Sequence, residues 1–178
     1  MKVLLDACVL YPTILRALLF RRAEAGAFQP LWSARILEEW RRAALKSGAL
    51  FADAEVASAR AVFPKAEVQS RPSTEARLVL PDPNDVHVLA AAIDGSADEL
   101  LTFNVKDFPG HVLSEEGIQR RSPDEFLLEL FFADEIGMRR DVDATLAEAA
   151  EHGIDVSNPR SVFKRARLAR FGKALAQP

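Results

Sequence analysis

The chain has 178 residues, of which 49% are hydrophobic and 28% are charged, and its formal net charge is −3. This is the composition of a soluble globular protein and excludes a largely disordered chain. A net negative charge means that any nucleic-acid site has to be a local basic patch. The single cysteine excludes an intramolecular disulfide framework. No apolar segment approaches the ~18 to 20 residues needed to cross a bilayer, so we expect a soluble, cytoplasmic protein without a membrane partner.

Short apolar runs and helix start signals organise the first part of the chain. Residues 3–5 are Val-Leu-Leu and predict a strand buried on both faces, which ends on Asp6. Ser33 has the residue type of a helix N-cap. The pattern after the first strand predicts, in order, a helix over 14–22, a short connector over 28–32, a helix from 33 to 46 and a helix over 53–63.

The middle of the chain continues the alternation of strands and helices. Residues 65–77 predict a loop that flanks a short strand. The segments that follow are a possible strand edge at 77–80, a helix from 82 to 95, a strand over 100–103 and a possible further strand at 111–113. This order is typical of an α/β domain around a mainly parallel sheet, here of four or five strands.

The last third of the chain has helix signals and no strand signal. Ser122, followed by proline and then by glutamate at the third position, predicts a capped helix start. Two more helices are predicted over about 139–151 and 158–171. We therefore expect an α/β domain over residues 1–118 and a helical C-terminal extension over residues 119–178.

Several acids are predicted to lie near the carboxyl ends of the strands, where open α/β sheets bind ligands. Asp6 ends the first strand, Asp85 lies in the first turn of a helix, and Asn104 and Asp107 follow the strand that ends at residue 103. Taken singly, each of these residues could equally serve a turn or a helix end.

Helix geometry separates the two glutamates of the helix that begins after Ser33. At about 100° per residue, Glu39 lies at the margin of the apolar stripe, whereas Glu38 points to the opposite side. Glu39 can therefore reach the sheet edge, and Glu38 is predicted to be a surface acid. Capping chemistry separates two aspartates in the same way: Asp82 precedes a proline and fits an N-cap, which leaves Asp85 for the site.

Three or four carboxylates at one edge would repel each other unless a cation lay among them. Hard oxygen ligands without histidine or cysteine suit Mg²⁺ or Mn²⁺. Such a site is suited to metal-assisted hydrolysis of a phosphodiester. The candidate metal ligands are Asp6, Asp85, Asn104 and Asp107.

Four short motifs, in this order, resemble the PIN domain, and in particular the VapC-type toxin ribonucleases of toxin–antitoxin pairs. They are residues 3–6 (VLLD), 33–40 with its Leu-Glu-Glu, 81–92 (PDPNDVHVLAAA) and 101–109 (LTFNVKDFP). The resemblance covers about residues 1–113, and residues 122–127 (SPDEFL) resemble the continuation in a subfamily with a longer helical C-terminus.

The resemblance implies a three-layer α/β/α fold and Mg²⁺- or Mn²⁺-dependent endoribonuclease activity. It places catalysis on Asp6, Glu39, Asp85 and Asp107. It also implies a cognate antitoxin protein, and homodimers are common in the family. Many members carry Asp where this chain has Asn104. In this chain Asp107 would therefore have to supply the negative charge that balances a metal ion there.

An RNA substrate requires local positive charge. The candidate RNA contacts are Arg41, Arg42, Lys164, Arg167 and Arg170, and the chain has no acid after Asp155. The same arginines and lysines could instead form a solvated helix face. Two alternatives to the toxin remain open at this point: a PIN-fold nuclease in RNA processing without an antitoxin, and a non-catalytic PIN-fold binding module.

Overall fold

A computed structural model describes residues 1–177 as two compact units. The first unit comprises Met1–Tyr11 and Phe28–Arg121, and the second comprises Pro12–Ala27 together with the described residues from Ser122 on. The sequence places its division after residue 118. In the structure the first unit ends at Arg121, and the second unit also takes in a helix from near the N-terminus.

The first unit is built on a parallel sheet of five strands. Its strands are β1 (Lys2–Leu5), β2 (Gln29–Ser33), β3 (Glu67–Val68), β4 (Glu99–Leu101) and β5 (Gln119–Arg121), arranged in the order β3-β2-β1-β4-β5. Strand β1 is central, and its residues Val3, Leu4 and Leu5 are fully buried, as their apolar run predicts. Helices flank the sheet, which confirms the predicted three-layer α/β/α fold.

Eleven α-helices are present within residues 1–177. They are α1 (Ala7–Leu10), α2 (Thr13–Glu24), α3 (Ala34–Lys46), α4 (Ala52–Val62), α5 (Pro72–Arg77), α6 (Val86–Asp94), α7 (Gly110–Glu115), α8 (Pro123–Ala133), α9 (Glu135–Glu151), α10 (Pro159–Arg165) and α11 (Ala169–Leu175). None of these helices combines the length and the apolar character that crossing a membrane requires.

The strand order creates the point at which this fold class binds ligands. The chain runs from β1 outward to β2 and β3, and then returns to the other side of β1 for β4 and β5. The carboxyl ends of β1 and β4 are therefore neighbours at the place where the strand order reverses. The amide of Asp6 donates to the carbonyl of Leu101 at 3.1 Å, which joins the two strand ends.

Residues 28–32 were predicted as a connector, but residues 29–32 belong to strand β2, so that prediction was wrong. Pro30 argues against an inner strand because it has no amide hydrogen to donate. The amide of Gln29 donates towards β1, so the nitrogen of Pro30 faces the opposite side. There β3 pairs only with Trp32 and Ser33, so the absent hydrogen bond costs nothing.

The last strand of the sheet is also formed by other residues than predicted. Residues 111–113 lie in helix α7, and the strand is β5, with the sequence Gln-Arg-Arg. Residues 78–80 form no strand. An edge strand that is only half buried needs no apolar run, and so it leaves almost no periodic signal in the sequence.

The second unit contains α2 and the four helices α8 to α11. Three helices were predicted for the extension, but the segment 158–171 divides into α10 and α11, with Arg167 between them at a φ of 62°. Phe163 and Phe171 are buried and meet edge to face with ring centroids 5.4 Å apart. Both rings therefore pack in the core of the second unit and do not form a platform for bases.

A buried ion pair ties α2 to α9 within the second unit. Arg22 donates to Asp141 at 2.9 Å and to Asp134 at 2.8 Å. A Cβ atom at Gly137 would displace the ends of the Asp134 and Arg22 side chains. Glycine at this position therefore leaves both side chains free to keep their hydrogen bond.

Candidate functional site

Asp6 lies directly after β1 and is held by two donors. Its Oδ2 accepts hydrogen bonds from the Thr102 hydroxyl at 2.6 Å and from the Cys8 thiol at 3.0 Å. Its Oδ1 has no hydrogen-bond partner among the residues that the structure describes. The carboxylate is thus fixed through one oxygen, and the other is left available for a ligand.

Cys8 serves this carboxylate as a donor and is not a nucleophile. Burial raises the pKa of its thiol, and the nearby negative charge of Asp6 raises it further, to about 12. The thiol therefore stays protonated at neutral pH.

Three aspartates converge at the same edge. Asp82, Asp85 and Asp107 each offer a carboxylate oxygen, and these oxygens lie within 4.8 Å of one another. Asp85 and Asp107 were predicted site residues, whereas Asp82 was predicted to be an N-cap. Asp82 does cap, because its Oδ1 accepts from the amide of Asn84 at 2.9 Å, yet it also belongs to the acidic group. The two roles are compatible, since a carboxylate has two oxygens.

The carboxyl of Asp85 has a raised pKa. Burial raises the pKa of its carboxyl, and the negative charges of Asp6, Asp82 and Asp107 raise it further, to about 6. Asp6 is not one of the three aspartates whose oxygens converge, but its negative charge raises the pKa of Asp85. Such a pKa is typical of carboxylates that share a site with no cation between them.

Asn104 connects two of the acids. Its amide nitrogen donates to Asp85 Oδ2 at 2.8 Å, and its carbonyl oxygen accepts from the Asp107 amide at 3.4 Å. The amide of Asn104 in turn donates to the Thr102 hydroxyl at 2.9 Å. Metal binding by the Asn104 oxygen stays a prediction. The hydrogen bonds show in addition that Asn104 links Asp85 to Asp107.

Glu39 and Glu38 have different partners, although their side chains are almost equally exposed, at 38% and 36%. Glu39 Oε1 accepts from His87 Nε2 at 2.9 Å and, more weakly, from Arg35 Nε at 3.4 Å. Burial raises the pKa of Glu39, but the hydrogen bond from His87 and the charge of Arg35 lower it below its ordinary value overall. Glu38 instead pairs with Arg41 and Arg42, whose hydrogen bonds lower its pKa to about 2.

His87 is the partner that sequence reasoning missed. A histidine within an apolar helix is more often a satisfied, partly buried side chain than a ligand, but His87 joins α6 to Glu39 of α3. The available signal was its position, since a histidine two residues after Asp85 interrupts an otherwise apolar helix that continues as Val-Leu-Ala-Ala-Ala.

The predicted RNA contacts are partly engaged in ion pairs. Arg41 pairs with Glu38 and with Asp53, and Arg42 pairs with Glu38. Arg170 of the second unit pairs with Glu125 at 2.9 Å. Lys164 and Arg167 are exposed on the second unit. Contact with RNA stays a prediction for all five residues.

The raised pKa of Asp85 predicts how pH acts on the metal-free protein. Because the folded pKa exceeds the ordinary value of 3.8, the neutral carboxyl favours the fold at low pH, and this contribution is lost as pH rises through about 6. Asp85→Asn should therefore raise the stability at pH 7.5 by about 1 kcal/mol after allowance for solvent screening, or roughly 3 °C. Thermal unfolding in EDTA measures the difference, which should shrink below pH 6.

Excess Mg²⁺ provides the control for this prediction. An ion that binds only the folded wild-type site stabilises it and not the variant, so the order of the two midpoints should reverse. A variant that is less stable than wild type in EDTA at pH 7.5 would contradict the repulsion inferred for the acidic group.

The chemistry of the donors agrees with a divalent metal. The converging atoms are carboxylate oxygens, without histidine or cysteine among them. Hard oxygen donors of this kind fit Mg²⁺ or Mn²⁺ and not Zn²⁺. The repulsion that raises the pKa of Asp85 is what a cation would relieve.

Comparison with protein families gives a match to one family over more than half of the chain. Residues 2–106 match the PIN domain. No curated protein and no solved structure matched the chain. The matched range includes β1 to β4 and the acids up to Asn104, and it stops just before Asp107. On the strength of this match and of the parallel five-stranded sheet, the chain belongs to the PIN domain family.

Proposed function

We propose that this protein is a metal-dependent endoribonuclease that hydrolyses RNA phosphodiester bonds. The observation that carries the proposal is the convergence of Asp82, Asp85 and Asp107 beside the strand ends of a PIN domain. Membership of this family indicates a nuclease, and the acidic group supplies a site where a divalent ion could act. The choice of RNA rests on the resemblance of the motifs to VapC-type ribonucleases.

Within the proposal, Asp6, Asp85 and Asp107 hold the ion, with Asp82 as an additional ligand of the same chemistry. A Mg²⁺ or Mn²⁺ ion, when bound, supplies a Lewis acid that activates water and offsets the charge of the phosphate. Thr102 and Cys8 fix Oδ2 of Asp6 and so leave Oδ1 for the site.

Two residues without a place in the three-aspartate group complete the proposed site. Asn104 orients Asp85 through its amide at 2.8 Å. Glu39 approaches the same loop through Arg35, which donates to Glu39 and to the carbonyl oxygen of Asn84 at 3.3 Å. We assign Glu39 to the catalytic set because α3 presents it on this side, whereas Glu38 is engaged by two arginines.

The RNA backbone would be bound by basic side chains outside the acidic group. Arg41 and Arg42 are candidates on the first unit, and Lys164, Arg167 and Arg170 are candidates on the second. The absence of acids after Asp155 in the sequence supports the second set.

The cellular role proposed here is the toxin of a type II toxin–antitoxin pair in the cytoplasm. The support is the order and spacing of the four motifs shared with VapC-type proteins. A cognate antitoxin protein, and possible pairing of two copies of this chain, belong to the same proposal. Expression of the protein alone should arrest growth, and co-expression of the small antitoxin-like reading frame beside its gene should restore it.

The primary experiment is RNA cleavage by the purified protein in Mg²⁺ or Mn²⁺. Cleavage should disappear in excess EDTA and return when Mg²⁺ is added beyond the chelator. Glu39→Gln should reduce the rate by roughly 10- to 100-fold, since one orienting or ligating carboxylate is lost. Glu38→Gln is the matched control on the next residue of the helix and should cleave at the wild-type rate.

The outcomes separate the proposal from its alternatives. Cleavage that persists in EDTA would refute the metal dependence. A protein that binds RNA but does not cleave it under any metal condition would support the non-catalytic binding module. Cleavage without growth arrest would support a nuclease in RNA processing and remove the toxin role alone.

A further inference from the structure

His87 occupies a position that an apolar residue would fill at lower cost to the fold. Its side chain is only 3% exposed, at the start of helix α6. The residues that follow it, Val88 to Ala92, are all buried and apolar. Nε2 finds an acceptor in Glu39 Oε1 at 2.9 Å, but Nδ1 is buried and has no hydrogen-bond partner among the described residues. An unpaired buried polar atom destabilises a fold, so packing does not explain this histidine.

The contact with Glu39 is the one hydrogen bond that the His87 side chain makes among the described residues. Glu39 has a second partner in Arg35, but that contact is longer, at 3.4 Å, and the Arg35 side chain is 54% exposed. A buried imidazole on a helix is held far more rigidly than an exposed arginine. His87 is therefore the partner that can hold the Glu39 carboxylate in one orientation.

The same segment of chain carries the acids and the histidine. Asp82 and Asp85 precede His87 on the turn that leads into α6, and Glu39 is on α3. The hydrogen bond between His87 and Glu39 consequently joins the helix that supplies Glu39 to the segment that supplies two of the converging aspartates. A shift of either element would alter the geometry of both.

We propose that His87 is a positioning residue that orients Glu39 toward the acidic group through its Nε2–H. Nε2 carries the proton because it faces a carboxylate, and the unprotonated Nδ1 avoids a buried donor without an acceptor. The inference rests on the proposed function, because it assigns His87 to a site whose ion is Mg²⁺ or Mn²⁺. In this inference Glu39 is a further ligand of that ion, and residues that orient ligands in this way typically contribute 10- to 100-fold to metal affinity.

The test compares Mn²⁺ binding with stability in His87→Leu, measured by calorimetric titration of the metal-free protein and by thermal unfolding. We expect Mn²⁺ affinity to fall by about 10-fold. We also expect the unfolding midpoint in EDTA to stay the same or rise, since leucine removes the unpaired nitrogen and water can reach the Glu39 carboxylate, which is 38% exposed. A purely structural histidine would give the opposite result, with lower stability and unchanged Mn²⁺ affinity.

Two further comparisons extend the test, and the first of them does not require His87→Leu to fold. His87→Gln retains an amide donor of similar reach and should recover most of the Mn²⁺ affinity. In the Glu39→Gln background, His87→Leu should cause no further loss of affinity, because the residue through which it acts is already changed. An equal loss with and without Glu39 would overturn the positioning role.

The wild-type protein and Asp85→Asn separate failure of this inference from failure of the proposed function. Wild type that binds Mn²⁺, with affinity lost in Asp85→Asn and unchanged in His87→Leu, overturns the positioning role and leaves the nuclease proposal intact. Wild type that neither binds Mn²⁺ nor cleaves RNA overturns both.

Discussion

Asp6→Asn should reduce the rate of RNA cleavage by about 10³-fold while leaving the fold intact. A positioned ligand charge is worth several kcal/mol in the transition state, and each 1.36 kcal/mol is a factor of ten in rate. Asparagine keeps the size of the side chain, and its carbonyl oxygen can accept from Thr102 and Cys8 as Oδ2 does in wild type. Single-turnover cleavage of a labelled RNA in Mg²⁺ measures the effect.

Asp53→Asn is the matched control for Asp6→Asn. Asp53 is in the same unit, its side chain is 76% exposed, and its partner is Arg41, outside the acidic group. It should cleave at the wild-type rate, and both variants should unfold at nearly the wild-type temperature. Equal cleavage by Asp6→Asn and wild type would show that the acids beside β1 and β4 do not form the catalytic site.

Arg22→Met should be the most destabilising of the proposed substitutions. The Arg22 side chain is 5% exposed and satisfies two aspartates, of which Asp141 is itself 11% exposed. Methionine would leave the Asp141 carboxylate buried without its partner, and removal of one member of a buried pair costs about 3 to 5 kcal/mol. We expect a loss of about 3 kcal/mol, or roughly 10 °C in the unfolding midpoint.

The neighbouring arginine offers an internal control for this loss. Arg21 pairs with Glu148 at 2.8 Å, but the two side chains are 34% and 53% exposed. An exposed pair of this kind contributes at most about 1 kcal/mol, so Arg21→Met should change the midpoint by only a few degrees. If the two variants lose the same stability, burial of the Arg22 pair is not what stabilises the second unit.

The features that the sequence predicted well are those set by near neighbours in the chain. The buried run of β1 and the Ser33 cap follow from side-chain periodicity and capping. The caps formed by Asp82 and Ser122 follow from residue type next to proline. In each case a few consecutive residues contain all the groups that interact.

The features that the sequence predicted badly depend on distant partners. The hydrogen bond from Thr102 to Asp6 joins residues 96 positions apart, and that between Arg22 and Asp141 joins residues 119 apart. Strand β2 forms despite Pro30 because β3 covers only part of its edge. No local pattern contains such information.

The residues of the acidic site also fall into those that the sequence predicted and those that only the tertiary structure showed. The sequence alone determined that Asp6, Asp85 and Asp107 would follow strand ends or a helix start, because residue type and periodicity act over short distances. Only the tertiary structure decided that Asp82 joins them and that His87 pairs with Glu39, because the fold brings together residues that lie far apart in the chain. A carboxylate can cap a helix and face a metal site at once, and sequence reasoning that assigns one role to each residue cannot find the second.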